Sequence, residues 1–117
     1  MNFIYVYVLL SHRDGGWYTG YTEDLRKRYA QHQAGDSAST RYRGPWEIIY
    51  YEASLNIDDA RARERYLKSG MGKRYIKNRL KPYFARREED LYRGPYGTGI
   101  ARPPRCVNDD DRHTRPD

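Results

Sequence analysis

The sequence predicts a small α+β domain, in which helices flank a three-stranded sheet in the order ββαβαα. Runs rich in β-branched and aromatic residues occupy residues 3–10, 17–21 and 46–53, which is typical of strands. Stretches with apolar residues at helical spacing follow the second and third runs. A chain of 117 residues accommodates one such domain more readily than two independent cores.

The first two strands are predicted to form a hairpin that leads into a helix. Asp14-Gly15-Gly16 lies between them and is a turn signal. Thr22 is placed to cap a helix over residues 23–34, with acidic residues in its first turn. Gly35 follows and is expected to end this helix.

Two further helices are predicted after the third strand. Asn56 begins the first, with Asp59 placed as the acidic partner of a capping box, and this helix runs to about Ser69. Gly70-Met71-Gly72 is expected to break it, so that the last helix covers residues 73–84.

The distribution of charge divides the chain into two parts. Residues 1–85 contain 15 Lys and Arg and 9 Asp and Glu, whereas residues 86–117 contain 7 of each, so the first part carries the whole net charge of +6. The second part is rich in Pro and Gly, and it cannot bury enough apolar area to offset its ordering entropy. We therefore predict a folded domain at 1–85, whose basic balance suits a nucleic-acid partner, and a disordered tail at 86–117.

Composition excludes several classes of protein. No apolar run approaches the roughly 20 residues that span a membrane, and the apolar start alternates like a strand rather than a signal peptide. Cys106 is the single cysteine, which excludes an internal disulfide framework and a cysteine-based zinc finger. A reducing, cytoplasmic location is therefore expected.

Glu64 occupies a position where an apolar residue is expected. Successive helical residues rotate by ~100°, so Ala60, Glu64, Leu67 and Met71 fall on one stripe. A carboxylate on an apolar face is costly unless it is paired with a cation or bound to a metal. On this pattern alone, a structural explanation (an ion pair with a nearby arginine, or a stripe that meets solvent at this point) and a functional site are equal alternatives.

Two other sets of polar residues lie on the predicted sheet and first helix. Arg28 and His32 are four residues apart, a pair that is able to hold a phosphate and supply a proton, although a solvated helix border shows the same spacing. Tyr7 and Tyr18 lie on the two hairpin strands, where packing alone would also account for tyrosine. Gly20 marks a place for a close backbone approach.

Together these residues resemble the GIY-YIG nuclease family over roughly residues 3–84. The family is named after two short motifs on a hairpin: Tyr5-Val6-Tyr7 stands at the first and Tyr18-Thr19-Gly20 at the second. The first motif begins here with a tyrosine instead of a glycine, and Tyr21 stands where the repair nucleases have a lysine.

The helical residues of the family have counterparts as well. Arg28 lies ten residues beyond the tyrosine of the second motif, and His32 four residues further on, as the family spacing requires. Glu64, which precedes Leu67-Lys68, matches the family's metal-ligating glutamate, and Asn78 matches a later asparagine. The chain is most similar to small members that resemble the nuclease domain of the UvrC repair protein.

This resemblance implies a divalent-metal-dependent endonuclease that hydrolyses DNA phosphodiester bonds in repair or processing, with RNA as an alternative substrate. The cofactor would be Mg²⁺ or Mn²⁺, held by a carboxylate. The implied catalytic residues are Tyr7, Tyr18, Arg28, His32 and Glu64 (the metal ligand), with Gly20 and Asn78 in supporting positions.

The resemblance also implies how the catalytic residues act. Arg28 would brace a phosphate oxygen. Tyr7 or Tyr18 would remove a proton from the attacking water, helped by a nearby cation because free tyrosine has a pKa near 10. His32 would position the water or the phosphate, or shuttle the proton.

Basic residues outside the motifs are predicted to contact the nucleic-acid backbone: Arg41, Arg43, Lys68, Lys73 and Arg74. Nothing is typical of a base-reading helix, so weak sequence specificity or a preference for a DNA structure is expected. Tyr42 or Trp46 would stack an unpaired base, or would pack on the sheet.

Two other functions are compatible with the sequence. One is a nucleic-acid-binding module on a nuclease scaffold, with little or no cleavage. The other is a protein-interaction module whose tyrosines are structural, which predicts neither salt-dependent DNA binding nor dependence on divalent ions.

Overall fold

Three antiparallel strands form the sheet in a computed structural model, which describes residues 2–93. Strand β1 spans Ile4–Ser11, β2 spans Trp17–Thr22 and β3 spans Trp46–Ser54, and β1 lies between the other two. Four helices accompany the sheet, so the predicted α+β class is confirmed, with one helix more than expected. None of the helices in the described part is long and apolar enough to cross a membrane.

The register of the hairpin places the second motif opposite the first. Tyr7 lies across from Gly20, and Leu9 lies across from Tyr18. Because side chains alternate along a strand, Tyr7, Leu9 and Tyr18 project from the same face of the sheet. The predicted hairpin is therefore confirmed, and its register sets the position of both motif tyrosines.

Helix α1 spans Leu25–Ala34, and Asp24 caps it by accepting a hydrogen bond from the Lys27 backbone N–H at 3.0 Å. The prediction that Thr22 is the cap is wrong, because its hydroxyl accepts instead from the Asp24 N–H, at 3.2 Å, ahead of the helix. The acidic residues that were expected in the first turn of the helix therefore lie before it. The predicted end is confirmed: Gly35 has a φ of 79°, in the left-handed region that favours glycine.

Helix α2 spans Ile57–Lys68, and α3 follows at Gly70–Arg79. Ser69 separates them, and its hydroxyl oxygen accepts from the Gly72 N–H at 3.1 Å, which caps α3. The predicted end of the helix near Ser69 is confirmed, but the break is Ser69 rather than residues 70–72, and the predicted helix start at residue 73 is wrong, since both glycines lie in the first turn of α3. Met71 consequently leaves the apolar stripe of α2 and is 66% exposed.

Helix α4 spans Lys81–Arg93, so it continues past residue 85, where the domain was predicted to end. Phe84 stacks on Trp17 with the ring centroids 6.0 Å apart, and Arg87 Nη1 donates a hydrogen bond to Glu47 Oε1 at 2.6 Å. These contacts attach α4 to β2 and β3. The rest of the predicted tail, residues 94–117, lies outside the described residues.

The helices cover both faces of the sheet and bury a core on each. On the face covered by α2 and α3, the buried residues are Val6, Val8, Leu10, Trp17, Ala60, Leu67 and Ile76. On the face covered by α1, they are Tyr7, Leu9 and Trp46, with Tyr18, Leu25, Tyr29 and Ile48 packed against them. The tyrosine of the first motif is thus part of a packed core, which holds its ring in one position.

Candidate active site

Tyr7 is buried on the central strand, with only 1% of its surface exposed. Its ring lies across the backbone of Gly20: a β-carbon at that position would be 2.6 Å from the Tyr7 hydroxyl oxygen and 3.2 Å from the Tyr18 ring. No residue other than glycine fits without displacing the tyrosines. The expected close approach at Gly20 is therefore confirmed, and the side chain it makes room for is Tyr7.

His32 joins this tyrosine to the loop that follows α1. The Tyr7 hydroxyl oxygen is 2.8 Å from His32 Nε2, and His32 Nδ1 is 2.7 Å from the Thr40 hydroxyl oxygen. His32 and Thr40 are each 1% exposed. The three side chains therefore form a continuous hydrogen-bonded chain in the protein interior.

The pKa shifts in this chain indicate which groups carry the protons. Burial, and then the nearby Tyr18, raise the pKa of Tyr7 to about 12. Burial, and then the positive charge of Arg28, lower the pKa of His32 to about 4. At neutral pH Tyr7 is therefore a hydroxyl and His32 is neutral, so we assign the Tyr7 proton to the bond with Nε2 and the imidazole proton to Nδ1, facing Thr40.

Tyr18 is half-buried on β2 and completes an aromatic cluster around the histidine. Its ring centroid lies 6.4 Å from that of Tyr7 and 5.1 Å from that of His32. The Ser39 hydroxyl donates a hydrogen bond to the Tyr18 oxygen at 3.4 Å. Tyr18 is therefore more accessible than Tyr7, while its position is limited by contacts on two sides.

Arg28 is held beside the Tyr7 hydroxyl by its neighbours. Its Nη1 donates to Gln31 Oε1 at 2.9 Å, and its Nη2 donates to the Ser37 hydroxyl at 3.2 Å. The positive charge of Arg28, and a hydrogen bond between its side chain and Tyr7, oppose the rise in the pKa of Tyr7. The guanidinium is thus fixed by two neighbours close enough to act on the tyrosine oxygen, and an arginine held in this way is able to contact an anion.

Glu64 lies on α2, which begins after Asn56, whose side chain accepts a hydrogen bond from the Asp58 N–H at 2.7 Å. The Glu64 side chain is 18% exposed, and its Oε2 lies 3.3 Å from Nζ of Lys68. Its negative charge contributes, as the smallest of several causes, to the raised pKa of Tyr7. The cation that pairs with Glu64 is this lysine rather than the arginine considered from the sequence, and the Glu64 charge acts at the same tyrosine as Arg28.

Glu64 fits the role of a single carboxylate ligand for a hard cation. Among the described residues, no three or more His, Cys, Asp or Glu side chains form a cluster that could hold a metal ion. Mg²⁺ often binds to one or two carboxylates and keeps several waters, which substrate phosphates partly replace. One partly exposed carboxylate suits such an ion better than it suits Zn²⁺, which usually takes three or four protein ligands.

The other predicted site residues differ in accessibility. Arg41, Arg74 and Asn78 are exposed, and Lys68 is exposed beside Glu64. Arg43 is partly buried: it lies 4.9 Å from the centre of the Trp46 ring, and its Nε is 3.1 Å from Asp14 Oδ2. Lys73 is only 4% exposed. Fewer of the predicted basic side chains are therefore accessible to a nucleic acid, because Arg43 is partly buried and Lys73 is buried.

Three hydroxyl residues of the loop after α1 were not predicted to belong to the site. Ser37 accepts from Arg28, Ser39 donates to Tyr18, and Thr40 contacts His32. The signal in the sequence is the run Ser37-Ala38-Ser39-Thr40, which follows closely after the predicted arginine and histidine. Each hydroxyl contacts one motif residue, so this loop positions most of the site.

Comparison with known proteins adds independent information. The sequence matches the family described as the GIY-YIG catalytic domain over residues 3–78. A UPF0213 protein of Clostridium perfringens (strain 13 / Type A) is 41% identical over 69 residues, which are 58% of this chain and 71% of that protein. A UPF0213 protein of Streptococcus pyogenes serotype M5 (strain Manfredo) is 39% identical over 87 residues, which are 74% of this chain and 89% of that protein.

A solved structure is also similar in sequence. The solution NMR structure of a UPF0213 protein from Bacillus halodurans is 32% identical, and the match covers 88% of this chain and 100% of that one, with a TM-score of 0.36.

Proposed function

The chain belongs to the GIY-YIG family of catalytic domains, and we propose that it is a divalent-metal-dependent endonuclease that hydrolyses DNA phosphodiester bonds. One observation carries the proposal: the buried Tyr7 hydroxyl is hydrogen-bonded to His32, and the charges of Arg28 and Glu64 both act on its pKa. A buried tyrosine that is joined to a histidine and affected by an arginine and a carboxylate is an arrangement for phosphate and proton chemistry rather than for packing alone.

Arg28 would bind the phosphate that is cleaved. Its bonds to Gln31 and Ser37 hold the guanidinium in place before the substrate arrives, so little reorganisation is needed when negative charge develops in the transition state. Glu64 would hold Mg²⁺ or Mn²⁺, which when bound supplies positive charge to the phosphate and to the leaving oxygen.

Tyr7 and His32 would accept the proton that the attacking water loses. The Tyr7 oxygen takes this proton while its own proton moves to His32 Nε2, along the existing 2.8 Å hydrogen bond. Thr40 accepts from Nδ1–H and thereby keeps Nε2 free of a proton in the resting state. Arg28 favours the negative form of Tyr7, which would otherwise be costly in a buried position.

The exposed basic residues Arg41, Lys68 and Arg74 would contact the DNA backbone, with affinity that falls as salt rises. A role in DNA repair or processing within the cytoplasm, similar to that of UvrC-like nucleases, is part of this proposal. RNA is the alternative substrate, since backbone contacts alone do not distinguish the two.

The proposal is tested by incubating supercoiled, branched and single-stranded DNA with the protein, in Mg²⁺ or in a chelator. The comparison includes Glu64→Ala and, as a matched control, Asp59→Ala, which removes an exposed carboxylate from the same helix. We expect cleavage by the wild type and by Asp59→Ala in Mg²⁺ only, and none by Glu64→Ala. Salt-dependent binding without any cleavage would instead support the non-catalytic module.

A further inference from the structure

Tyr42 is an exposed aromatic residue in a backbone conformation that tyrosine rarely adopts. Its φ is 73°, and no other non-glycine residue in the described part of the chain has a positive φ. The Arg43 N–H donates to the Thr40 carbonyl at 3.2 Å, so residues 40–43 form a β-turn with Tyr42 at its third position. A positive φ at that position favours glycine or asparagine. The fold alone therefore gives no reason for a tyrosine here.

The backbone carbonyls of Tyr42 and Arg43 are held by contacts with the β1–β2 hairpin. Arg13 Nη1 donates to the Tyr42 carbonyl at 3.0 Å, and the Ser11 hydroxyl donates to the Arg43 carbonyl at 2.6 Å. Arg43 also pairs with Asp14 of the hairpin turn. The turn is fixed in this way, yet Tyr42 is 78% exposed. Strain of this kind persists where surrounding contacts impose it, and it is frequent at functional sites.

The turn begins at a residue of the candidate active site. Thr40, its first residue, contacts His32, and Tyr42 lies two residues later, a backbone distance of at most ~7 Å. Arg41 between them is exposed, and its Nε donates to the Gly35 carbonyl at 3.2 Å, so a cation lies in the same turn as Tyr42. A nucleic acid whose phosphate contacts Arg28 would thus pass close to Tyr42.

We propose that Tyr42 stacks on an unpaired base of the substrate, near the phosphate that Arg28 binds. The inference rests on the proposed nuclease function and names its substrate class: nucleic acid with an unpaired base beside the cleaved bond, as in a single strand, a flap or a branch. Aromatic side chains stack on any base that offers a free face, and bases within a continuous duplex do not offer one. Trp46, the other aromatic candidate, is only 2% exposed and is therefore excluded.

The test measures binding in the full-length Glu64→Ala background, so that cleavage does not interfere. The probes are two DNAs of equal length, a continuous duplex and a branched DNA with one unpaired 2-aminopurine, whose fluorescence falls on stacking. Tyr42→Asn removes the ring and keeps a residue that tolerates positive φ. Tyr42→Phe keeps the ring, and Tyr51→Ala removes a different tyrosine, 56% exposed, on β3.

We expect the parent protein to bind the branched DNA about tenfold more tightly than the duplex, with quenched fluorescence, since one stacked base contributes about that factor or more. Tyr42→Asn should lose both the preference and the quenching, whereas Tyr42→Phe and Tyr51→Ala should retain them. The inference is overturned if Tyr42→Asn keeps the preference, if Tyr42→Phe loses it equally, or if neither DNA binds. Wild-type cleavage is measured in parallel: quenching without cleavage would refute the nuclease proposal alone, and cleavage without quenching would refute only the stacking.

Discussion

Replacement of Gly20 by alanine tests how closely the two motifs approach each other. The added β-carbon would lie 2.6 Å from the Tyr7 hydroxyl oxygen and 2.9 Å from the ring carbon that bears it. Ordinary contacts are about 3.5 Å, so the hydroxyl has to move by roughly 1 Å. Such a shift is large enough to break the 2.8 Å hydrogen bond to His32.

The expected cost follows from these contacts. Overpacking of a buried side chain costs about 1–3 kcal/mol, and the lost hydrogen bond adds about 1 kcal/mol. The reduced flexibility of the unfolded chain offsets about 0.4–1 kcal/mol. The net loss in the free energy of unfolding is therefore about 2 kcal/mol, which lowers Tm by about 10 °C in a domain of this size. A displacement of about 1 Å at a catalytic group also lowers cleavage by about 100-fold.

Thermal and urea unfolding measure the first effect, and single-turnover cleavage measures the second. Gly70→Ala is the matched control, because a β-carbon on Gly70 meets nothing within 4 Å. In the double variant Gly20→Ala/Tyr7→Phe, part of the clash is removed with the hydroxyl, so its cost should be less than the sum of the two single costs by at least about 0.5 kcal/mol. The reasoning fails if Gly20→Ala and Gly70→Ala have the same stability and the same cleavage rate.

Three other outcomes are expected. Thr40→Val leaves His32 Nδ1–H buried without an acceptor and should lower the free energy of unfolding by about 1–3 kcal/mol in urea, whereas Thr40→Ser should retain stability and cleavage; equal effects of both variants would contradict a stabilising hydrogen bond between Thr40 and His32. Because the pKa of His32 is lowered to about 4, the unfolded chain binds this proton first, so stability should be complete above about pH 6.5 and fall towards pH 4; an NMR titration of His32 near its ordinary pKa would refute this. Gly72→Ala should cost about 3 kcal/mol of stability, since the β-carbon would overlap the Tyr66 carbonyl and lie 2.5 Å from the Leu67 Cα; unfolding at the Gly70→Ala midpoint would contradict that packing.

The hairpin and its tyrosines were predictable because their signals are local. Alternation along a strand placed Tyr7 on one face, and the short turn at residues 14–16 limited the register that brings it opposite Gly20. Arg28 and His32 were predictable for the same reason, since four residues on a helix bring two side chains to one side.

The parts that were not predicted depend on contacts between distant residues. Gly72 suggested a helix break, but its role is to let the backbones of α2 and α3 approach each other. Arg87 lies in a polar stretch that resembled a tail, and its partner Glu47 is 40 residues away. Thr40 belongs to a run of hydroxyl residues that the sequence shows, but the run lies in a polar loop without periodicity, so the sequence did not indicate which of them contacts His32.

The central claim is that one site, with Glu64 as the metal ligand, cleaves nucleic acid. The most direct measurement is single-turnover cleavage of branched DNA by metal-stripped wild type and Glu64→Gln, with Mg²⁺ returned in steps. We expect the wild-type rate to rise from background with Mg²⁺ and the Glu64→Gln rate to stay at background throughout. Wild-type cleavage that is as fast in chelator as in Mg²⁺, or cleavage by Glu64→Gln at the wild-type rate, would contradict the claim.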